Sequence, residues 1–502
     1  MDRELAEKLE AYKNGLSEKE RQELVDRTEA LEAYQSAEDR PEDLEKIPVL
    51  KREDISRKIA PIFNEERTVA GIPMIFHEIE TNGIGYLDLL FDMSGVPEEL
   101  LPYVGILQAV LGVIDTTHYE YGELFNEINV HTGGIGTSLE LYPDVTKVKE
   151  KEFKATFEIK AKALYEKLSV AFDMMGEILT ESKLEDEKRL LEILQMLKSR
   201  LLMRFQSAGH TTAVLRSLAY TSPSARLKDL TSGIEFYRVV ARITEHFEEE
   251  KEDLIRKLKS LAVRLFRAEG MMISYTASRE GLDGLEDFVD SMKRRLFTDS
   301  VEEAVCILHC EKKNEGFKTA SKVQYVARSG NFIDGGAQYS GALQILKVIL
   351  SYEYLWQNIR VKGGAYGCMS NFNRIGEGYF VSYRDPNLKR TMEIYEGITD
   401  YLKNFTVSER DMTKYIIGTI SNIDQPMTPS AKGDRSMNLY MNHVSPEMIQ
   451  RERSEILGAG QEDIRALAPV VEALLAADQI CVIGSEEKIE TDKDMFDVLT
   501  SF

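Results

Sequence analysis

Two glycine pairs constrain this chain more than any other feature. Gly133-Gly134 lies in Ile128-Asn129-Val130-His131-Thr132-Gly133-Gly134-Ile135-Gly136, and Gly363-Gly364 lies in Ile359-Arg360-Val361-Lys362-Gly363-Gly364-Ala365-Tyr366. Each pair sits between a helical pattern and a strand pattern, and the two segments align with a one-residue gap. Glycine permits a sharp turn and a close approach by another backbone. The repeat predicts a duplicated scaffold. Asn129 stands where the second copy has Arg360, and Gly136 where it has Tyr366. Two polar side chains therefore occur once on a scaffold used twice, which points to a task at the second loop beyond folding. The breaks Tyr142-Pro143-Asp144 and Arg384-Asp385-Pro386 read as matching ends of the strands that follow the two loops.

The pattern predicts an α+β fold with two homologous α/β sandwich domains, largely antiparallel sheets and a preceding helical hairpin. Residues 1–50 read as the hairpin and a linker. Leu5, Leu9 and Tyr12 share a helical face, Asn14-Gly15 is a stop signal, and Ser17 with Glu20 forms a capping box for the next helix. Leu24, Leu31 and Tyr34 stripe that helix, and Glu38 to Glu45, with Pro41, reads as the linker. Residues 51–265 read as the first domain. In it Leu87, Leu89, Phe91 and Met93 alternate with Asp88 and Asp92, and Phe153, Ala155, Phe157, Ile159 and Ala161 alternate likewise, as in half-buried strands. Long helical patterns follow, broken near Gly209 and at Ser222-Pro223-Ser224. Residues 266–502 read as the second domain, with strands expected at 301–310, 322–328, 378–384 and 480–484 and helices at 341–358, 388–404 and 408–421. The regular strand–helix alternation of a doubly wound fold is missing.

At 502 residues, 43% hydrophobic and 29% charged, the chain can bury large cores as an ordinary globular protein. Its formal net charge of −22 disfavours nucleic acid, whose phosphates want a basic surface. The same charge serves solubility and would steer cationic peptides. Four cysteines, Cys306, Cys310, Cys368 and Cys481, form no disulfide framework and suit a reducing, cytoplasmic setting. The sequence has neither an apolar run of membrane-spanning length nor a signal-peptide core at its start.

The seven histidines form no metal-binding pair one helical turn apart. His77-Glu78-Ile79-Glu80 is followed by Thr81, and His246-Phe247-Glu248-Glu249 by Glu250. Zinc wants three or four convergent N, S or O ligands. Cys306-Ile307-Leu308-His309-Cys310, read as a strand, would turn His309 away from the two cysteines. No nucleophile elbow and no phosphate-binding loop are present. Asn331 to Gly336 reads as a turn, and Glu248-Glu249-Glu250 as a solvated helix face. No metal or other cofactor is expected in this chain.

Arg360 and Tyr366 remain. Arginine offers a fixed fork of donors and tyrosine a phenolic donor, suited to a carbonyl or carboxylate held near Gly363, Gly364 and Ala365. An Arg at a helix end also favours the macrodipole, and a Tyr opening a strand also packs; sequence physics leaves both readings open. The run Leu355-Trp356, Ile359-Arg360, Gly363-Gly364-Ala365-Tyr366-Gly367 resembles the C-terminal half of the pitrilysin/insulinase zinc metallopeptidases, in the presequence protease and falcilysin branch. Ile47-Pro48-Val49-Leu50 and Thr132 to Ile135 extend the likeness over nearly the whole chain.

The resemblance implies a clamshell enzyme of two halves joined by a helical hinge, here residues 1–50. The first half would carry His-x-x-Glu-His and a distant Glu that hold zinc. This chain would be the second half, with Arg360 and Tyr366 as catalytic donors and Gly363, Gly364 and Ala365 against the substrate backbone. Its expected partners are the N-terminal zinc-bearing half and short unfolded peptides, with no nucleic acid and no membrane, and it is expected to be inactive alone. Two alternatives are a non-catalytic binding or assembly protein of the same fold and the non-zinc subunit of a two-chain peptidase.

Overall fold

Strand order displays the duplication. The computed structural model describes residues 2–36, 40–44, 46–48 and 50–502. Within residues 56–502, β1 (Glu65–Val69), β2 (Ile72–Glu78), β3 (Ile84–Asp92), β4 (Ile135–Pro143), β5 (Phe153–Leu164) and β6 (Met271–Ala277) form one sheet in the order β1-β2-β6-β3-β5-β4. The strands β7 (Glu315–Thr319), β8 (Tyr325–Asn331), β9 (Gly367–Phe372), β10 (Glu377–Tyr383), β11 (Gln479–Ser485) and β12 (Val498–Ser501) form the other in the order β12-β7-β11-β8-β10-β9. A parallel pair stands at the same place in both sheets, β2 with β6 and β7 with β11, followed by three antiparallel pairs. The remaining edge differs. β1 arrives from the N-terminal side and runs antiparallel to β2, whereas β12 arrives from the C-terminal side and runs parallel to β7.

This order corrects the boundary expected at 265/266. β6 lies beyond it yet inserts between β2 and β3, and the helix Leu285–Arg295 packs on the helix Leu168–Thr180 of the first repeat. Met271, Ile273, Tyr275 and Ala277 are buried on one face of β6, and Ser274 and Thr276 on the other. A strand buried on both faces belongs at the centre of a covered sheet. The matching of strand breaks is corrected as well. Tyr142-Pro143-Asp144 ends β4, the counterpart of β9, whereas Arg384-Asp385-Pro386 follows β10, the counterpart of β5. The strand expected at 301–310 is absent; that segment is irregular, and Cys306 donates its backbone N–H to the carbonyl of Ser94.

The two repeats exchange helices. Helix Gly209–Leu218 lies on β8, β10 and β11, and helix Pro429–Met441 lies on β2, β4 and β6. Glycines set both approaches. A Cβ on Gly209 would come 2.2 Å from the Tyr325 ring, and one on Gly433 would come 1.8 Å from Oγ1 of Thr276. Thr156 and Glu158, on the polar face of β5, are 1% exposed; the Tyr142 hydroxyl and Thr156 Oγ1 both donate to Glu158, at 2.6 and 2.7 Å, and Lys160 pairs with it at 3.0 Å. Met437 and Met441 from helix Pro429–Met441 join Ile75, Leu90 and Tyr142 in a small second core. Breaks near Gly209 and Ser222 were legible locally. Ser222 caps the helix Pro223–Ser232 by accepting the N–H of Ala225 at 3.3 Å.

The segment Met1–Ile55 is a separate unit. It holds helices Asp2–Gly15 and Glu18–Ser36. Ser17 Oγ accepts the Glu20 N–H, and Glu20 Oε2 accepts the Ser17 N–H at 2.8 Å, forming the expected capping box. Of the expected linker, Pro41–Leu44 is helical, while Glu38, Asp39 and Glu45 lie outside the described residues, as does Val49 of the Ile47-Pro48-Val49-Leu50 entry. Among the described residues no helix is long and apolar enough to cross a membrane.

Candidate functional site

Both Gly-Gly loops lead from a helix into the edge strand of their sheet, Thr132 to Gly134 into β4 and Gly363 to Ala365 into β9. At the second loop the helix Ala342–Tyr352 is followed by a π-helical turn, Trp356–Val361. Such wide turns are rare and recur at functional sites. Gly364, at φ +82°, ends the turn in the left-handed region and donates its N–H to the Arg360 carbonyl at 2.9 Å. This left-handed cap suits glycine, which has no Cβ. Ala365 then donates to the Ile359 carbonyl at 3.1 Å, and Tyr366 donates its N–H to the Tyr383 carbonyl at 3.0 Å. A Cβ on Gly363 would lie 2.4 Å from the Ile359 carbonyl oxygen.

This scaffold leaves Arg360 and Tyr366 facing outward. Arg360 is exposed, and its guanidinium stacks on the Trp356 ring at 4.0 Å. Tyr366 is 67% exposed, with the Arg384 guanidinium 5.8 Å from its ring centre. Neither the Arg360 guanidinium nor the Tyr366 hydroxyl has a hydrogen-bond partner among the described residues. Gly363 is half-buried, Gly364 exposed and Ala365 buried. The charge of Arg360 reaches Cys368. Burial pushes that thiol up to about 12, with Asp385 adding to the rise and Arg360 opposing it.

The first loop is built differently. Asn129, in the place of Arg360, turns back and donates to the Phe125 carbonyl of its own helix at 2.7 Å. Gly133 donates its N–H to the Lys162 carbonyl at 2.7 Å. Its polar groups are used within the fold.

The supporting contacts of three residues were not legible in the sequence. Trp356 supplies the face on which Arg360 rests. Arg384, at φ +48°, lies over the rings of both Tyr366 and Tyr383. Asn387 donates through Nδ2 to the Gly363 carbonyl at 2.7 Å and is itself fixed by Asp385, whose Oδ1 accepts the Asn387 N–H at 2.9 Å. The Asp-Pro-Asn run, an Asx-turn signature, was the available signal; its contact with Gly363 was not.

Among the described residues, no group of three or more His, Cys, Asp or Glu could hold a metal ion. His77 is fully buried between the Phe63 carbonyl and Ser274 Oγ. His309 pairs with Glu98 at 2.7 Å, so the Cys306–Cys310 segment, no longer a strand, still makes no ligand set.

Comparison with known proteins agrees with this architecture. Residues 1–243 match the family described as associated with subfamily C of the M16 peptidases, and residues 314–486 match the PreP C-terminal domain. The chain is 39% identical to protein HypA of Clostridium perfringens, over 99% of this chain and 51% of that protein. It is 27% identical to presequence protease 1, chloroplastic/mitochondrial, of Arabidopsis thaliana, over 96% of this chain and 44% of that one. It thus spans about half the length of these relatives. The fold is shared with the peptidase M16 inactive domain from Pseudomonas fluorescens, at a TM-score of 0.56 and 12% identity, over 84% of this chain and 97% of the other. A protease from Helicobacter pylori is similar at a TM-score of 0.58 and 13% identity, over 84% and 99%. The chain belongs to the pitrilysin-like M16 peptidase family, in its presequence protease branch, and corresponds to the C-terminal half of those proteins.

Proposed function

We propose that this chain is the substrate-gripping, transition-state-stabilising half of a clamshell metalloendopeptidase that degrades short unfolded peptides. The observation that carries the reading is the pair Arg360 and Tyr366. Both are exposed on one glycine-tightened loop, and neither has a hydrogen-bond partner among the described residues, whereas the corresponding Asn129 is satisfied inside its own helix. A buried structural arginine would be paired; Arg360 instead stands exposed on the Trp356 ring, with its donors open to an incoming acceptor.

In this reading the zinc belongs to the N-terminal half, and this chain's residues act on the peptide. The guanidinium of Arg360 and the hydroxyl of Tyr366 donate to the scissile carbonyl oxygen. As that carbon becomes tetrahedral, charge gathers on the oxygen and both hydrogen bonds strengthen. Gly364 is exposed and presents no side chain, so the peptide backbone passes close to the loop, while Gly363 lets the turn close on the Ile359 carbonyl. Trp356 holds the Arg360 fork in place, which leaves less reorganisation to the reaction.

The test joins this chain to its zinc-bearing half and measures kcat/KM on a fluorogenic peptide. Removing one such donor costs on the order of 100- to 1,000-fold. Tyr366→Phe and Arg360→Ala should each show a loss of that size with zinc content and melting temperature unchanged. Wild-type turnover by the phenylalanine variant would reduce Tyr366 to a packing residue.

A further inference from the structure

A second groove lies away from the glycine loop. It is a cavity of about 620 Å³ between the helices Gly209–Leu218 and Pro223–Ser232 on one side and β9 and β10 on the other, with Leu141 of β4 at its rim. Its volume is in the range of small-ligand sites. Leu141, Leu215, Leu218, Met369 and Tyr379 line it and are all only partly buried. Its apolar wall is thus open to an occupant.

The polar groups are unevenly placed. Arg204 and Ser232 mark one end, where Arg204 Nη2 donates to the Ser232 carbonyl at 2.7 Å. His210 lies at the same end, edge-on to the Tyr383 ring at 4.9 Å. The Nε of Arg204 and the Nδ1 of His210 are buried without partners. Lys228, exposed, is one helical turn before Ser232. Neither Arg204 nor Lys228 has a carboxylate partner among the described residues. In a chain with 85 acidic and 63 basic residues, two cations without a carboxylate line this one groove, and the buried, unpartnered Nε of Arg204 offers a donor to an anion from outside. Burial with no counter-charge also holds Arg204 below its usual range.

The opposite end is acidic. Glu377 lines the groove there, beside Leu218 and Ser224, and accepts from Asn373 Nδ2 at 3.1 Å. Glu377 and Tyr383 stand at the two ends of β10, about 20 Å apart along the strand. The groove is therefore apolar along its length, anionic at one end and cationic at the other.

We infer that this groove binds a short apolar peptide of about four to six residues, with its free C-terminal carboxylate on Arg204 and Lys228 and its amino terminus toward Glu377. A fatty acid would satisfy the cations and the apolar wall but would leave the acidic end unused. The charge pattern along the groove favours the peptide. The site needs no hydrolysis and no second half, so it stands apart from the role of Arg360 and Tyr366.

Calorimetric titration of the isolated full chain with the pentapeptide Ala-Val-Leu-Ala-Leu tests it, beside the same peptide C-terminally amidated, the same peptide N-acetylated, and decanoate. The free peptide should bind, and amidation should weaken it at least tenfold. Arg204→Met should weaken the free acid at least tenfold while leaving the amide unchanged, and Glu377→Gln should weaken only peptides with a free amino terminus. Lys228→Met, at an exposed position, gives a second reading should Arg204→Met disturb folding, with a loss of about threefold or more. Equal affinity for acid and amide would overturn the inference, as would full affinity in both cation variants. Decanoate binding as tightly as the peptide would overturn the peptide assignment in favour of a fatty acid.

Discussion

The guanidinium of Arg216 donates through Nε and Nη2 to the carboxylate of Glu315, joining the helix Gly209–Leu218 of the first repeat to β7 of the second. Both residues are almost wholly buried. Asp229, at 2.6 Å, and Glu235, at 2.9 Å, complete the surroundings of Arg216, and Tyr220 donates to the same Glu315 carboxylate at 3.1 Å. One cation thus holds three carboxylates at the point where an exchanged helix meets the foreign sheet.

Removing that cation strands buried charge. Arg216→Met should destabilise the chain by about 3–5 kcal/mol, the cost of breaking a buried pair from one side. Chemical denaturation reads this as a lowered midpoint. Combining Arg216→Met with Glu315→Gln should cost less than the two single losses added together, because the residues share one network.

Helix exchange can be probed without charge. Gly433→Ala would drive a Cβ to 1.8 Å from Oγ1 of Thr276. Backbone shifts of this kind cost about 1–3 kcal/mol. Thr276→Ala in the same chain should recover part of the loss, and thermal melts of the two variants check it. No recovery would mean that the helix contacts β6 differently.

Acid should weaken the fold through His77. Burial pushes its pKa below the ordinary value, partly offset by the bond to the Phe63 carbonyl. Below about pH 6.5 the unfolded chain therefore takes up a proton that the folded chain refuses. The stability contribution is complete above that pH and is lost as pH falls toward and through the lowered folded value. Denaturation midpoints between pH 7.5 and 5 should fall in the wild type, with a shallower slope in His77→Asn; equal slopes would remove His77 from the account.

Loop rigidity should matter to turnover without being essential. Asn387→Ala removes the bond to the Gly363 carbonyl, worth about 1 kcal/mol, and should lower kcat/KM of the assembled enzyme about fivefold. The same variant in the isolated chain should melt within a few degrees of the wild type. A loss as large as that of Tyr366→Phe would move Asn387 from a supporting part to a direct one.

The chain by itself is expected to hold no stoichiometric zinc and to cleave no peptide. Metal analysis of the purified chain and a fluorogenic assay check both. Near one zinc per chain together with chelator-sensitive cleavage would place a metal site here and contradict the proposed division of labour.

Local chemistry made part of this protein readable from sequence. Ser17 and Glu20 are three residues apart, so their reciprocal cap needed no distant partner. Leu87, Leu89 and Phe91 declared one buried face of β3 by alternation, and the glycine pairs marked where a helix must turn into a strand. Arg360 and Tyr366 could be paired as candidates because both lie on that one loop. Tertiary structure decided whatever depended on residues far apart in the chain. β6 entered the first sheet because a strand buried on both faces needs a central place. Thr156 and Glu158 alternate with the core residues of β5 yet are buried, because Tyr142 of β4 and Lys160 close over Glu158. Asn387, Arg384 and the Arg204–Glu377 groove acquired meaning only once β9, β10 and the exchanged helices were packed together. Periodicity reports which way a side chain points from its own backbone; what it then meets is set by contacts between segments that share no local pattern.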